Sequence, residues 1–153
     1  MIKPRVFGNH ESMSRAAARW MATELRAKSD ALFCLATGST PMRSYAHLRD
    51  VNLSKGGLLR KVRVIKLDEW GGLKADDPAS CEAYLQDTLI KPAGLGKRYI
   101  GFRGDAPDVQ AEVNRVSRWL QRNGPIDVCV LGLGVNGHLA FNEPADSLHP
   151  EAH

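Results

Sequence analysis

The sequence predicts an α/β domain with a mostly parallel, Rossmann-like sheet in a three-layer α/β/α arrangement. Two observations carry this. Short apolar runs of strand character alternate with longer amphipathic segments of helical character, and turn-forming residues cluster just past the ends of the apolar runs. Such alternation favours parallel strands joined by right-handed helical crossovers. In sheets of this kind ligands bind beyond the carboxyl ends of the strands.

Each element has its own signal. Arg5 to Phe7 reads as the end of a first short strand. From Ser12 to Lys28, Ala16, Ala17, Trp20, Met21 and Leu25 recur at helical spacing. Ala31 to Ala36 is a compact apolar run, the pattern of a strand covered on both faces. Thr37-Gly-Ser-Thr40 is a turn in which Thr40 suits an N-cap and Pro41 the first helical position. Lys61 to Leu67 alternates basic and apolar residues, as a strand with one better-covered face would. Ala79 to Ile90 suits a helix with Ser80 near its start, and Arg98 to Phe102 a short strand. Asp108 to Arg122 is an amphipathic helix turning Val109, Val113, Val116 and Leu120 inward, stopped by Asn123-Gly-Pro125. Ile126 to Leu131 is the last strand.

Bulk properties narrow the class. The 153 residues suffice for one domain, taken as 1–153, with 43% hydrophobic and 25% charged residues, as in ordinary globular proteins. No apolar run reaches the length of a membrane span, and the N-terminus lacks a signal-peptide segment. The three cysteines, Cys34, Cys81 and Cys129, are odd in number and widely spaced. Cys34 and Cys129 lie in apolar runs, so buried free thiols and a cytoplasmic location are expected. The net charge of +4 is spread among apolar residues with no recognisable nucleic-acid module. It fits a solvated basic face or a mild attraction for anionic metabolites rather than a nucleic-acid partner.

Three stretches carry chemistry. In Leu35-Ala-Thr-Gly-Ser-Thr-Pro41, Gly38 and Ser39 precede a helix, where free N–H groups and the helix dipole favour an anion; hydroxyls of Thr37, Ser39 and Thr40 add donors. In Val64-Ile-Lys-Leu-Asp-Glu-Trp-Gly-Gly72, two carboxylates leave a strand end. Neighbouring strand residues point to opposite faces, so only one of Asp68 and Glu69 need face a ligand. A carboxylate in a partly dry cleft is a suitable general base.

The third stretch is Leu131-Gly-Leu-Gly-Val-Asn-Gly-His-Leu-Ala-Phe-Asn-Glu-Pro144. Gly132, Gly134 and Gly137 match the dinucleotide fingerprint by spacing, but Pro144 arrives too soon for the long helix that fingerprint needs. His138 instead shares a glycine turn with Glu143, as a proton-transfer group would. A metal site of His138, Glu143, His149 and His153 lacks any standard ligand spacing, and Pro150 breaks a helical His149/His153 pair.

In this order, Ala36-Thr-Gly-Ser-Thr-Pro41, Leu67-Asp-Glu-Trp-Gly-Gly-Leu73 and Gly132-Leu-Gly-Val-Asn-Gly-His-Leu-Ala-Phe-Asn-Glu-Pro144 resemble the glucosamine-6-phosphate deaminases and their relatives, the galactosamine-6-phosphate isomerases. Gly101-Phe-Arg-Gly-Asp-Ala-Pro107 is similar to the family's segment before its long helix. The resemblance implies a three-layer α/β fold with neither metal nor redox cofactor. It also implies conversion of an amino-sugar 6-phosphate and water to a ketose 6-phosphate and ammonia. Carried over, Thr37, Gly38, Ser39 and Thr40 hold the 6-phosphate, and Asp68 shuttles a proton between C2 and C1. His138 serves the ring oxygen during ring opening, and Glu143 supports it. Asn136, where glucosamine enzymes commonly carry Asp, resembles the galactosamine type and orients His138 by hydrogen bonding. Galactosamine 6-phosphate, giving tagatose 6-phosphate, is therefore the expected substrate. The family continues past residue 153, so the chain is expected to be the N-terminal part of the domain. Monomers and hexamers both occur in it, which leaves a homo-oligomer open.

Two other readings share features. The 6-phosphogluconolactonases share the fold and a Gly-His turn, but usually place Arg after the Asp-Glu pair and do not continue as Phe-Asn-Glu-Pro, unlike Trp70 and Phe141 to Pro144 here. A non-catalytic sugar-phosphate sensor needs the phosphate turn but not Asp68, His138 and Glu143 together.

Overall fold

The computed structural model describes residues 3–147, 149, 152 and 153. Four parallel strands form one sheet in the order β3-β2-β1-β4: β1 Leu32–Leu35, β2 Arg63–Lys66, β3 Tyr99–Ile100 and β4 Val128–Val130. Helices α1 His10–Ala27, α2 Ser39–Lys55, α3 Cys81–Leu85 and α4 Val109–Asn123 connect or flank them. The register places Leu32 beside Arg63, Cys34 beside Cys129, and Val64 beside Tyr99.

Strand residues alternate between two cores. Phe33, Leu35, Val64 and Val128 pack with Met21, Ala22 and Leu25 of α1, Tyr45 and Leu48 of α2, and Leu85 of α3. Leu32, Cys34, Ile65 and Ile100 face the other way, against Val116, Trp119 and Leu120 of α4. This is the expected three-layer arrangement. Each fully buried Leu, Val or Phe contributes roughly 1.5–3 kcal/mol through removal of apolar surface from water.

The caps explain where the helices begin. The side chain of Asn9 accepts from the Ser12 amide, and Ser12 reciprocates to the Asn9 backbone. Ser80 and Asp108 accept from the amides of Ala83 and Ala111 at the starts of α3 and α4. Beyond Leu85 the chain continues through a π-helical turn, Gln86–Ile90, so the expected helix over residues 79–90 is an α-turn followed by a wider one.

Several expectations need correction. Residues 5–7 are not a strand: Val6 is 90% exposed, so no apolar burial supports one there. Thr40 is not the N-cap of α2. Gly38 takes that place with φ 111°, and Thr40 and Pro41 lie in the first helical turn, where the missing proline N–H costs no hydrogen bond. Trp20 of α1 is half-exposed, and Val109, first in α4, lies in the open at the helix end. Cys34 is buried, but Cys129 is exposed: β4 is the outermost strand of the sheet formed by the described residues, and α4 does not cover it.

No helix among the described residues is long and apolar enough to cross a membrane.

Candidate active site

The sheet topology sets the site. From β1 the chain moves outward to β2 and β3, then returns to add β4 on the opposite side of β1. The strand order thus reverses between β1 and β4, and the crevice at their carboxyl ends is the usual ligand position. The turn 37–40 leaves β1 and the glycine loop leaves β4, with the two strand ends tied by the Ala36 amide donating to the Val130 carbonyl at 3.1 Å.

At the first of these ends the α2 N-terminus is open. Gly38 has a positive φ that favours glycine, no side chain caps the helix, and Gly38, Ser39 and Thr40 are exposed. The amides of the first turn are therefore free to bind an oxyanion.

Past β2 the acidic pair divides its work. Both oxygens of Glu69 are occupied: they accept from the amides of Trp70, Cys81 and Glu82, each at 2.9 Å, and from Lys66 Nζ. Glu69 thereby caps the α3 N-terminus with its own charge. Burial raises its carboxyl, but the Lys66 ammonium and these amides outweigh burial and hold it below the ordinary range. Asp68 takes part in no such network among the described residues and lines a cleft of about 420 Å³. Burial, then the neighbouring Glu69 charge, raise its carboxyl, with Lys66 partly offsetting them.

Past β4 the chain folds on itself rather than entering a helix. The Gly134 amide donates to the His138 carbonyl, Gly137 turns at φ 92°, and Leu139 pairs with both Leu133 and Asn142. His138, Asn136 and Glu143 form one hydrogen-bonded chain. Asn136 Nδ2 donates to Glu143 Oε2 at 2.6 Å, and Asn136 Oδ1 lies 2.7 Å from His138 Nδ1 and accepts from its amide at 3.1 Å. A carboxylate only accepts, so it fixes which way the amide points. The amide oxygen also only accepts, so Nδ1 carries the proton and the lone pair of a neutral ring lies on Nε2. Glu143 thus supports His138 through Asn136 rather than by direct contact.

The imidazole lies flat against Gly134. A Cβ there would meet ring atoms Cε1 and Nδ1 at 2.2 Å, which explains this glycine. The His138 loop meets the Asp68 loop through Phe141 and Trp70, whose ring centroids are 4.5 Å apart.

The structure does not gather every predicted residue into one cavity. The walls of the large cleft include Asp68, Phe102, Val113, Phe141 and Asn142, but not His138, Asn136, Glu143 or Thr37 to Thr40. Those line the adjoining strand ends. Among the described residues no three His, Cys, Asp or Glu side chains are placed to hold a metal. The rings of His149 and His153 lie 4.9 Å apart, and His153 also bonds Asn142 at 2.8 Å. Sequence reasoning passed over Lys66, Glu82 and Tyr99, which join Glu69 in a buried cluster. The available signal was a lysine set in the run Val64-Ile-Lys-Leu67 at the strand end.

The chain is 38% identical over 146 residues to the candidate deaminase AgaI of Escherichia coli K12, covering 95% of this chain and 58% of that protein. It is 35% identical to a glucosamine-6-phosphate deaminase of Clostridium botulinum Loch Maree, covering 97% of this chain and 61% of the relative. Among solved structures, a monomeric glucosamine-6-phosphate deaminase of the NagB superfamily superposes with a TM-score of 0.89 at 33% identity, over 95% of this chain and 61% of that one. The chain thus spans about three fifths of the length of these relatives. Residues 8–152 match the family of glucosamine-6-phosphate isomerases and 6-phosphogluconolactonase, and the chain belongs to that family.

Proposed function

We propose that the intact protein is an amino-sugar 6-phosphate isomerase/deaminase, converting galactosamine 6-phosphate and water to tagatose 6-phosphate and ammonia. The observation that supports it best is the chain Glu143–Asn136–His138, which leaves His138 Nε2 as a proton acceptor. Opening a pyranose requires a group that exchanges a proton with the ring oxygen, and His138 takes that part. Moving a proton from C2 to C1 requires a base beside the carbon skeleton. Asp68 takes that part, because partial burial and the neighbouring Glu69 charge raise its basicity. The open first turn of α2, Gly38 to Thr40 with Thr37, anchors the 6-phosphate and so fixes C1 and C2 against the base. None of these roles calls on a cofactor.

Asn136 favours the galactosamine epimer, since it matches the Asn-Gly-His of the galactosamine type. Glucosamine 6-phosphate, giving fructose 6-phosphate, is the second reading, favoured by the names of several relatives. The 6-phosphogluconolactonases share the matched family, but Trp70 after the Asp-Glu pair and the run Phe141 to Pro144 favour the amino-sugar reading.

The test is ammonia release by the intact protein from the two amino-sugar phosphates compared side by side. Faster turnover of galactosamine 6-phosphate is expected. Preference for glucosamine would discard the epimer argument, and binding without ammonia release would point to a sensor.

A further inference from the structure

Lys66 is a fully buried ammonium at the carboxyl end of β2, two residues before Asp68. Its Nζ donates to Glu69 Oε2, to Glu82 Oε2 at 2.8 Å and to the Phe102 carbonyl at 3.0 Å. Glu82 also accepts from the Tyr99 hydroxyl at 2.6 Å and from Gln86 at 2.9 Å. The side chain of Glu69 is only 2% exposed and that of Glu82 17%. An uncompensated buried charge would be costly, so this cluster holds together only as a unit. Gly101 packs against it so closely that a Cβ would lie 2.6 Å from the Tyr99 oxygen and 2.9 Å from Lys66 Cε.

The cluster has a consequence for the loop above it. Two adjacent carboxylates at the mouth of one cleft would repel and compete for the same substrate atoms. Both line the cleft, but both oxygens of Glu69 are bonded to Lys66 and to amides of the loop and α3, whereas Asp68 takes part in no such network among the described residues. We propose that Lys66 is a positioning residue, which through Glu69 and Glu82 holds the loop so that Asp68 alone offers the substrate a carboxylate not bound up in that cluster.

This rests on the reading of Asp68 as the base, but its test does not depend on turnover. Lys66 faces Glu69 from the loop, Glu82 from α3 and Tyr99 from β3, while Asp68 senses Lys66, Glu69, Cys34 of β1 and Cys81 of α3. Lys66 and Glu69 therefore act on Asp68 with opposite sign.

The experiment is a carbon-13 titration of aspartate side chains in the intact protein, with the Asp68 signal assigned by its loss in Asp68→Asn. Lys66→Met is expected to raise the Asp68 midpoint by about half a unit or more, and Glu69→Gln to lower it. Lys66→Arg, which keeps the charge, should return it toward the wild-type value. In turnover assays Lys66→Met should lower kcat with little change in KM, and the acid limb of the rate profile should move with the titration. Unmoved midpoints in both variants would overturn the proposal. Should Lys66→Met fail to fold, Glu69→Gln decides alone, because an unchanged midpoint there is enough to overturn it. Shifted midpoints in a protein that releases no ammonia would instead sustain Lys66 and remove the deaminase reading.

Discussion

Trp70 and Phe141 meet with ring centroids 4.5 Å apart and planes tilted by 51°, although each is 53% exposed. They bring the loop carrying Asp68 into direct side-chain contact with the loop carrying His138. A tilted aromatic pair is worth about 0.5–1.5 kcal/mol beyond its burial. Phe141→Ala should therefore leave the melting temperature almost unchanged while lowering kcat/KM about 3- to 10-fold, by loosening one loop relative to the other. Equal loss in Phe141→Ala and in a variant of an exposed residue outside the pair, such as Val6→Ala, would remove this role.

Asp68→Asn separates activity from stability. Its carboxyl is raised by burial and by Glu69, so ionisation is harder in the folded chain than in the unfolded one. The resulting penalty grows as pH rises through the interval between the unfolded and the higher folded value, and is complete above it. The neutral amide lacks that penalty. Turnover should fall about 10²–10⁴-fold, while thermal stability at pH 7 rises or holds. A stability loss in Asp68→Asn would contradict the sign.

Gly134→Ala tests the imidazole seat. A Cβ there would strike the His138 ring at 2.2 Å, whereas a Cβ at Gly132 meets nothing within 4 Å. Gly134→Ala should cost about 10²-fold in kcat by displacing the ring, and Gly132→Ala close to nothing. Similar rates in the two variants would show that the ring does not need this seat.

Asn136→Asp should raise the His138 pKa, because a carboxylate beside Nδ1 favours imidazolium. It would also set two carboxylates face to face where Asn136 Nδ2 and Glu143 Oε2 now meet at 2.6 Å. An NMR titration of His138 reads the outcome directly, and no upward movement would remove the orienting role given to Asn136.

Glu112 anchors the approach to α4. It is 4% exposed and accepts from the Arg103 amide at 2.7 Å and from the guanidinium groups of Arg103 and Arg115. The Arg115 hydrogen bond, working against burial and aided by Arg103, lowers its carboxyl to about 2. The stability it contributes is present above the ordinary carboxylate range and lost as pH falls from there toward about 2. Glu112→Gln should destabilise the fold by on the order of 2 kcal/mol at neutral pH and much less at pH 3, as denaturant melts at both values would show.

The strand ends were legible in the sequence because turn residues and chemistry coincide there. Asp68, His138 and the turn 37–40 all lie past the carboxyl ends of β2, β4 and β1. What sequence pattern could not supply was partner choice. Nothing in Asp68-Glu69 says which acid turns inward, since that depends on the α3 amides and on Lys66, up to 13 positions away. Nor does the apolar run around Cys129 reveal that β4 is outermost in the sheet formed by the described residues, because a strand's place follows from strand order and not from local hydrophobicity. Thr40 had the composition of a cap, but Gly38 holds that place because only the positive φ there turns the chain from β1 into α2.

Gly104 has a consequence for the order in which the chain matures. Its backbone lies so close to the carbonyls of Trp70 and Leu73 that a Cβ would come within 2.4 and 2.6 Å, and its own carbonyl accepts from the Gly72 amide at 2.7 Å. The turn presenting Asp68 is thus moulded by residues that leave the ribosome well after it. β1 and β2 can pair once residue 66 has emerged, yet the turn acquires its shape only when Glu82 and Gly104 have followed, and its aromatic brace only with Phe141. The central strand pair is available early in synthesis, and the reactive corner is completed late.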